Sequence, residues 1–342
     1  DRAVCPAAGE YCDSYIEPLA AALGKRVRTG CEVVGIARSG LLKTEAIGKA
    51  ERSEARFDLL LETGDAVGKT ESADVVIDAS GVYRNPSSLG AGGIPAPGEE
   101  KLGDLISYHI PDVLGADRQL YAGATTLLAG AGYSAATVLD AFAMLLEEEP
   151  GTGLTWARRD SRKEPLPVIE NDPLPQRARL SQAANRLSVS PPAGCEVIED
   201  VVISSLRQKD GKIHVELARP QGQESKAVVV DRIISMTGYR PDNSYHRELQ
   251  VHLCYASEGP MKLAAALLGE GSNGDCLAAA ELPGDTLSNP EPGYYIAGHK
   301  SYGRRSDFLL QTGIGQVRDI FKLVEGDDSL DLYSELRADD QH

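Results

Sequence analysis

The sequence repeats itself, and that limits its folds more than any single motif does. Around Gly30 it reads GCEVVGIARSG, FDLLLETG and ADVVIDASGVYRNP; around Gly194 it reads GCEVIEDVVISSLRQKDG, KIHVELARP and VVVDRIISMTGYRPD. Each copy holds three β-rich stretches parted by turn residues, the signature of a three-stranded antiparallel meander. Each closes on an acid, an apolar run, a small hydroxyl residue and a glycine, with Arg and Pro following. These are Asp74, Ser80, Gly81, Arg84 and Pro86 in the first copy, and Asp231, Thr237, Gly238, Arg240 and Pro241 in the second. GCEV alone could recur by chance, since strands share a vocabulary. Matching order across three elements points to duplication.

Before the second meander stands ATTLLAGAGYSAATVLDAFAMLLEEEP. A short apolar run leads to Gly130-Ala131-Gly132-Tyr133-Ser134-Ala135. Ala135, Val138, Leu139, Phe142 and Leu146 then recur at helical spacing until Pro150. LTWARR follows as a second strand. The first glycine allows a tight turn, the second lets backbone approach a pyrophosphate, and small Ala135 permits close helix–strand packing. Free N–H groups and positive potential at the helix start suit phosphate. A bare GxGxxG string is weak, but strand before and helix after make this one specific. Two other strings fail that test: Gly269–Gly274 follows a helical run and Gly90–Pro95 ends in proline, so both are expected as loops.

At the end of the second strand, an NAD site places an acid for the ribose hydroxyls. Here stand Arg158 and Arg159, whose guanidinium groups suit a 2′-phosphate, with Asp160 next. Solvated loop charges are the alternative.

Residues 1–30 contain no glycine loop to match, only a helical run from Tyr15 to Leu23. If the repeat is genuine, a strand–GxGxxG–helix unit is expected before residue 1. The fold class is therefore α/β: two dinucleotide-binding, Rossmann-like modules, each with an antiparallel β-meander, the first incomplete. The expected domains are 1–120, the meander part of a first module; 121–240, a complete second one; and 241–342, a return to the first with a C-terminal helix.

Charge and cysteine usage narrow the function classes. A net charge of −16 argues against a nucleic-acid backbone as partner. No apolar run spans a bilayer, and the first residues do not form a signal peptide. Six cysteines (Cys5, Cys12, Cys31, Cys195, Cys254, Cys276) without a CxxC pair fit reduced thiols in the cytoplasm, with neither a metal site nor a disulfide relay.

The strings DASGVYRNP, LLAGAGYSAA, SMTGYRPD and PGYYIAGHKSYGRRSDFLLQTGIGQVRDI resemble FAD-dependent pyridine-nucleotide oxidoreductases, closest to their flavin-containing-monooxygenase-like branch. The resemblance covers nearly the whole chain. It implies FAD in the first module, NADPH in the second, hydride transfer between them, and a small-molecule substrate with O2 as a further partner. By motif, Gly130, Gly132, Tyr133, Ser134 and Ala135 would hold NADPH, with Arg158 and Arg159 at its 2′-phosphate. Val33, Ser80, Gly81 and Gly298 would lie toward FAD.

The C-terminal string also has a reading of its own. YYIAG is a short strand run, and Ile314, Val317, Ile320, Phe321 and Val324 fall on one helical face. Thr312 and Gly313 sit at that helix's start, where the dipole favours an electron-rich flavin edge. Lys300, Tyr302, Arg304 and Arg305 could line a cavity that binds an anionic substrate or reduced flavin, or could form a solvated, salt-bridged loop. One departure weakens oxygen transfer. The monooxygenase fingerprint FxGxxxH is absent from LISYHIPDVLGADRQLYAGA, leaving His109 as either a catalytic or an ordinary loop histidine. The open alternatives are a flavin reductase or oxidase without oxygen transfer, and a non-catalytic NADP-binding redox-sensing module.

Overall fold

The computed structural model describes residues 6–64, 66–219, 225–269 and 282–333. These form two compact units. One takes the chain up to Asn85 and again from Arg240; the other is Pro86–Tyr239. The expected boundaries were 120/121 and 240/241. The earlier change-over has a clear cause: β5 (Ile106–Ser107) pairs with β12 (Arg232–Ser235), while Gly90 bridges to Ile203, so residues 86–120 belong to the second unit.

That unit is built on a five-stranded parallel sheet. Its order is β5, β12, β6 (Thr125–Ala129), β7 (Gly153–Ala157) and β8 (Cys195–Ile198). The strand-flanking helices are Tyr133–Glu148 and Pro175–Val189. Strand β6 is buried on both faces, as a central parallel strand must be, so its TTLLA run shows no alternation. Leu128, Ala135, Val138, Leu139, Phe142, Leu145 and Trp156 form one core; of the stripe read from the helical spacing, Ala135 through Phe142 lie in it and Leu146 is partly buried against it.

The antiparallel meander is β9 (Val202–Lys209), β10 (Lys212–Ala218) and β11 (Ser225–Val230). Each three-stretch reading of the repeat thus merged two kinds of strand. In the second copy CEVI is β8 of the parallel sheet, and RIIS is β12, which leaves the meander to lie between β5 and β6. Asp231 marks the change: its N–H donates to the Thr125 carbonyl, and its carboxylate accepts from the Thr125 N–H and hydroxyl at 2.9 and 2.8 Å.

The first unit repeats the plan. Its meander is β1 (Glu32–Arg38), β2 (Phe57–Thr63) and β3 (Ala66–Ala73), so the third strand lies before ADVVID rather than in it. After Asp74, β4 (Val76–Asp78) pairs in parallel with β13 (Tyr294–Ile296). GCEV is therefore a match of letters only, since it enters an antiparallel strand in one copy and a parallel strand in the other.

Between β1 and β2 the first unit carries a buried charge triad. Glu291 accepts from Arg38 and Arg52, each at 2.7 Å, with all three side chains at most 2 % exposed. The guanidinium of Arg38 also lies over the Phe57 ring. The C-terminal helix Leu310–Glu325 turns Gln316 and Ile320 inward. Ile314 and Phe321, expected on its inner face, are exposed. The helix expected from Tyr15 to Leu23 is present, as Glu17–Leu23 preceded by a wider turn. Among the described residues no helix is long and apolar enough to cross a membrane.

Candidate functional site

The turn after β6 is shaped for a ligand. Gly130 sits at φ +127°, and any Cβ there would be driven into the Met236 carbonyl, so only glycine fits. Gly132 is the opposite case: its backbone is ordinary, and nothing lies within 4 Å of where a Cβ would be. It is the N-cap of a 16-residue helix that no side chain caps. Donors of the first turn are thus left for an outside acceptor, with the helix dipole behind them. Ala135 is fully buried against the sheet, and the Tyr133 hydroxyl meets that of Ser181 at 3.2 Å. Half-buried Ser134 lies in the same first turn.

The two arginines after β7 part company. The Arg158 N–H continues the ladder to the Ile198 carbonyl, and its side chain turns inward to 1 % exposure. There it donates to the Arg162 carbonyl at 2.9 Å, the Ser188 hydroxyl at 3.0 Å and the Glu199 carboxylate, and lies over the Trp156 ring. Arg159 is exposed. Arg162 is exposed as well and pairs with Asp160 at 3.1 Å.

In the first unit, Ser80 and Gly81 follow β4, and Gly298 follows β13. Neither Gly81 nor Gly298 has a heavy atom within 4 Å of a built Cβ. They form an open cradle at the carboxyl ends of two adjacent parallel strands, where ligands of such sheets bind. Val33 is half-buried at a bulge of β1. Thr312 is half-buried in the first turn of its helix, whereas Gly313 is small because the Phe308 ring packs on it.

Lys300 is turned inward. It is 1 % exposed and bonds Asp78 at 2.6 Å. Its ammonium also donates to the Asp242 carbonyl at 2.6 Å and to the Tyr245 hydroxyl. Asp78 further accepts from Tyr245 at 2.6 Å, Tyr294 at 3.0 Å and the Ser80 hydroxyl at 2.7 Å. Burial alone would raise the Asp78 carboxyl. The Lys300 charge and these hydrogen bonds outweigh it and hold the group below the ordinary aspartate range. Tyr302 is buried edge-on to Phe308. Arg304 pairs with Glu258 at 2.8 Å and Arg305 with Asp307, so that part of the string is a salt-bridged loop. His109 is exposed, with its ring stacked on Tyr239.

His246 closes the network from one side. Its ring lies against Tyr245 and Tyr294, and Nε2 bonds the Asn243 side-chain oxygen at 3.0 Å. Burial first, then the Lys300 charge, pull it from 6.5 to about 4. Between these values the unfolded chain takes up a proton that the folded chain refuses. Stability should therefore be lost as pH falls from 6.5 to 4, by about 3 kcal/mol. Denaturant titrations across that range should show the loss, and His246→Gln should flatten it.

Of the six cysteines, Cys12, Cys31, Cys195 and Cys254 are unpaired; Cys5 and Cys276 lie outside the described residues. Gly90–Pro95 is a short loop with a 3₁₀ turn. Gly269 ends the helix that begins at Met261, and the rest of Gly269–Gly274 lies outside the described residues.

No family model matches the chain, and no curated protein matches it in sequence. Solved structures do. The ornithine N-hydroxylase of Kutzneria sp. 744, whose structure holds reduced FAD, NADP+ and L-ornithine, aligns with a TM-score of 0.60 at 16% identity, over 94% of this chain and 77% of that one. Bacillithiol disulfide reductase from Bacillus cereus gives 0.59 at 16%, over 92% and 77%. Thioredoxin reductase of T. acidophilum gives 0.54 at 18%, over 92% and 80%. The chain has the fold of the FAD-dependent pyridine-nucleotide oxidoreductases. Disulfide reductases and monooxygenases match about equally well, so the fold does not choose between the two chemistries.

The sequence reading did not single out Asp78, Tyr245, Tyr294 or His246. The one signal was Asp78 inside DASG, and its partner Lys300 lies 222 residues away.

Proposed function

We propose that the protein is an NADPH-dependent flavoprotein oxidoreductase with monooxygenase-like turnover of a small substrate. The observation that carries this reading is the β6–turn–helix: a position that only glycine can occupy, an open N-cap glycine and an uncapped helix start. Gly130, Gly132, Tyr133, Ser134 and Ala135 would seat the NADPH pyrophosphate. Val33, Ser80, Gly81, Gly298, Thr312 and Gly313 would border FAD. Together the two cofactors supply hydride transfer and oxygen chemistry, and the protein's part is to position them and control access. The chain contains no CxxC pair, which favours oxygen chemistry over a disulfide relay.

Arg159 is the residue we assign to the 2′-phosphate, with Arg158 holding the strand end in place from inside. Arg159→Ala should weaken NADP+ about tenfold or more and leave NAD+ unchanged, the value of one charge-assisted contact. Arg158→Ala should lower stability and weaken both nucleotides alike. Calorimetric titration with NADP+ and NAD+ tests both, and absence of NADP+ binding by the unaltered protein would refute the assignment. NADPH consumption that rises with a substrate, without matching peroxide release, would support oxygen transfer; stoichiometric peroxide would mean an oxidase.

A further inference from the structure

The first unit holds a second cleft, of about 390 Å³, which the proposed function does not use. Asn85, Arg240, Asp242, Cys254, Tyr255 and Glu258 are among the residues that line it. Its walls are fixed from behind. Lys300 donates to the Asp242 carbonyl at 2.6 Å, and Arg304 bonds the Glu258 carboxylate at 2.8 Å. A Cβ at Gly303 would strike the Ser257 carbonyl, and one at Gly259 would meet the Ser301 carbonyl at 2.8 Å, so loop and wall are in direct backbone contact.

The groups facing this space are chemically mixed. Arg240 uses its backbone N–H on the Asn85 carbonyl, and its guanidinium makes no hydrogen bond or ion pair among the described residues. Asp242 adds a carboxylate. One oxygen of Glu258 bonds Arg304; the other, Oε2, is covered and has no partner. The Arg240 guanidinium and the Asp242 carboxylate on one cleft suit a ligand with both a carboxylate and an ammonium group. Tyr255, 94 % exposed at the rim, offers an uncovered aromatic face.

Cys254 adds the reactive atom. Its residue is 5 % exposed, and the thiol receives hydrogen bonds from the Ser257 hydroxyl and the Ser257 and Ala256 N–H groups. Those donors favour thiolate, the nucleophilic form, and hold the thiol below its ordinary pKa.

We propose that this cleft is a thiol–disulfide exchange site for small α-amino-acid disulfides, with Cys254 as the acceptor. The thiolate attacks one disulfide sulfur; a mixed disulfide forms on Cys254, the original S–S bond breaks, and the other half leaves as a thiolate. Two electrons move within the disulfide and no further oxidant is consumed. Arg240 would hold the ligand carboxylate, and Asp242 would hold its ammonium.

The test uses the full reduced chain with two probes: cystine, which carries both groups, and cystamine, which lacks the carboxylates. Adducts are mapped by peptide mass spectrometry over all six cysteines. The expected result is that cystine modifies Cys254 ahead of exposed Cys12. Arg240→Gln should slow the cystine reaction at Cys254 about tenfold and leave cystamine unaffected, and Cys254→Ser should remove the adduct with the fold intact by circular dichroism. Cystine modifying other cysteines while sparing Cys254, or equal slowing of both probes by Arg240→Gln, would overturn the proposal.

Discussion

Lys300→Met should lower unfolding stability by about 3–5 kcal/mol, the cost of leaving one member of a buried ion pair without its partner. The side chains of Asp78 and Lys300 are 4 % and 1 % exposed, so water cannot replace the lost ammonium. Methionine nearly fills the lysine's volume, which keeps cavity formation out of the measurement. The same substitution removes the donor that holds the Asp242 carbonyl and the positive charge that holds Asp78 ionised. Without that charge, only the hydrogen bonds from Tyr245, Tyr294 and Ser80 still oppose burial, and the Asp78 carboxyl rises from its depressed value. A raised folded-state value means the stability deficit is largest at neutral pH and shrinks as pH falls and the carboxyl is protonated. Adding Asp78→Asn should recover part of the loss at neutral pH, because the amide keeps an acceptor for Tyr245 and Tyr294 without a charge. Urea denaturation of the two variants at pH 7 and pH 5 reads all of this. A Lys300→Met deficit below 1 kcal/mol at pH 7, or one independent of pH, would contradict a buried pair.

That network also shows where sequence reading stops. The Gly130 turn was legible because its strand, glycines and helix lie in one contiguous stretch, and each residue's reason for being there is local. The core stripe from Ala135 through Phe142 was legible for the same reason. Lys300 was misplaced because charge predicts exposure unless a partner is known, and its partner is supplied by the parallel pairing of β4 with β13. Arg158 and Arg159 look equivalent as letters. The backbone ladder extends one residue past β7 and sends Arg158 inward, so only its neighbour faces water. The two meanders were located but over-extended. The apolar runs on either side of Asp231 read as one strand, and the polar strand before Asp74 carries no apolar signal to read, yet each acid is where the chain leaves an antiparallel sheet for a parallel one.

Gly132→Asp should separate folding from nucleotide binding more sharply than any other single change. The position has extended backbone that any residue adopts, and open space surrounds the place a side chain would fill. Aspartate is also a favoured N-cap, able to accept from the N–H groups two and three residues on, and helix start and carboxylate attract each other. The fold should therefore be unharmed, or stabilised by a few tenths of a kcal/mol. The same carboxylate would take the donors that we assign to the pyrophosphate and would repel its charge at close range. NADP+ affinity should fall about a hundredfold or more. Gly130→Ala provides the contrast. With φ at +127° and the Met236 carbonyl in the way, it should disturb the turn itself, reducing stability and binding together. Thermal melts and calorimetry on the two variants would give opposite patterns. NADP+ affinity that survives Gly132→Asp would place the pyrophosphate somewhere other than this helix start.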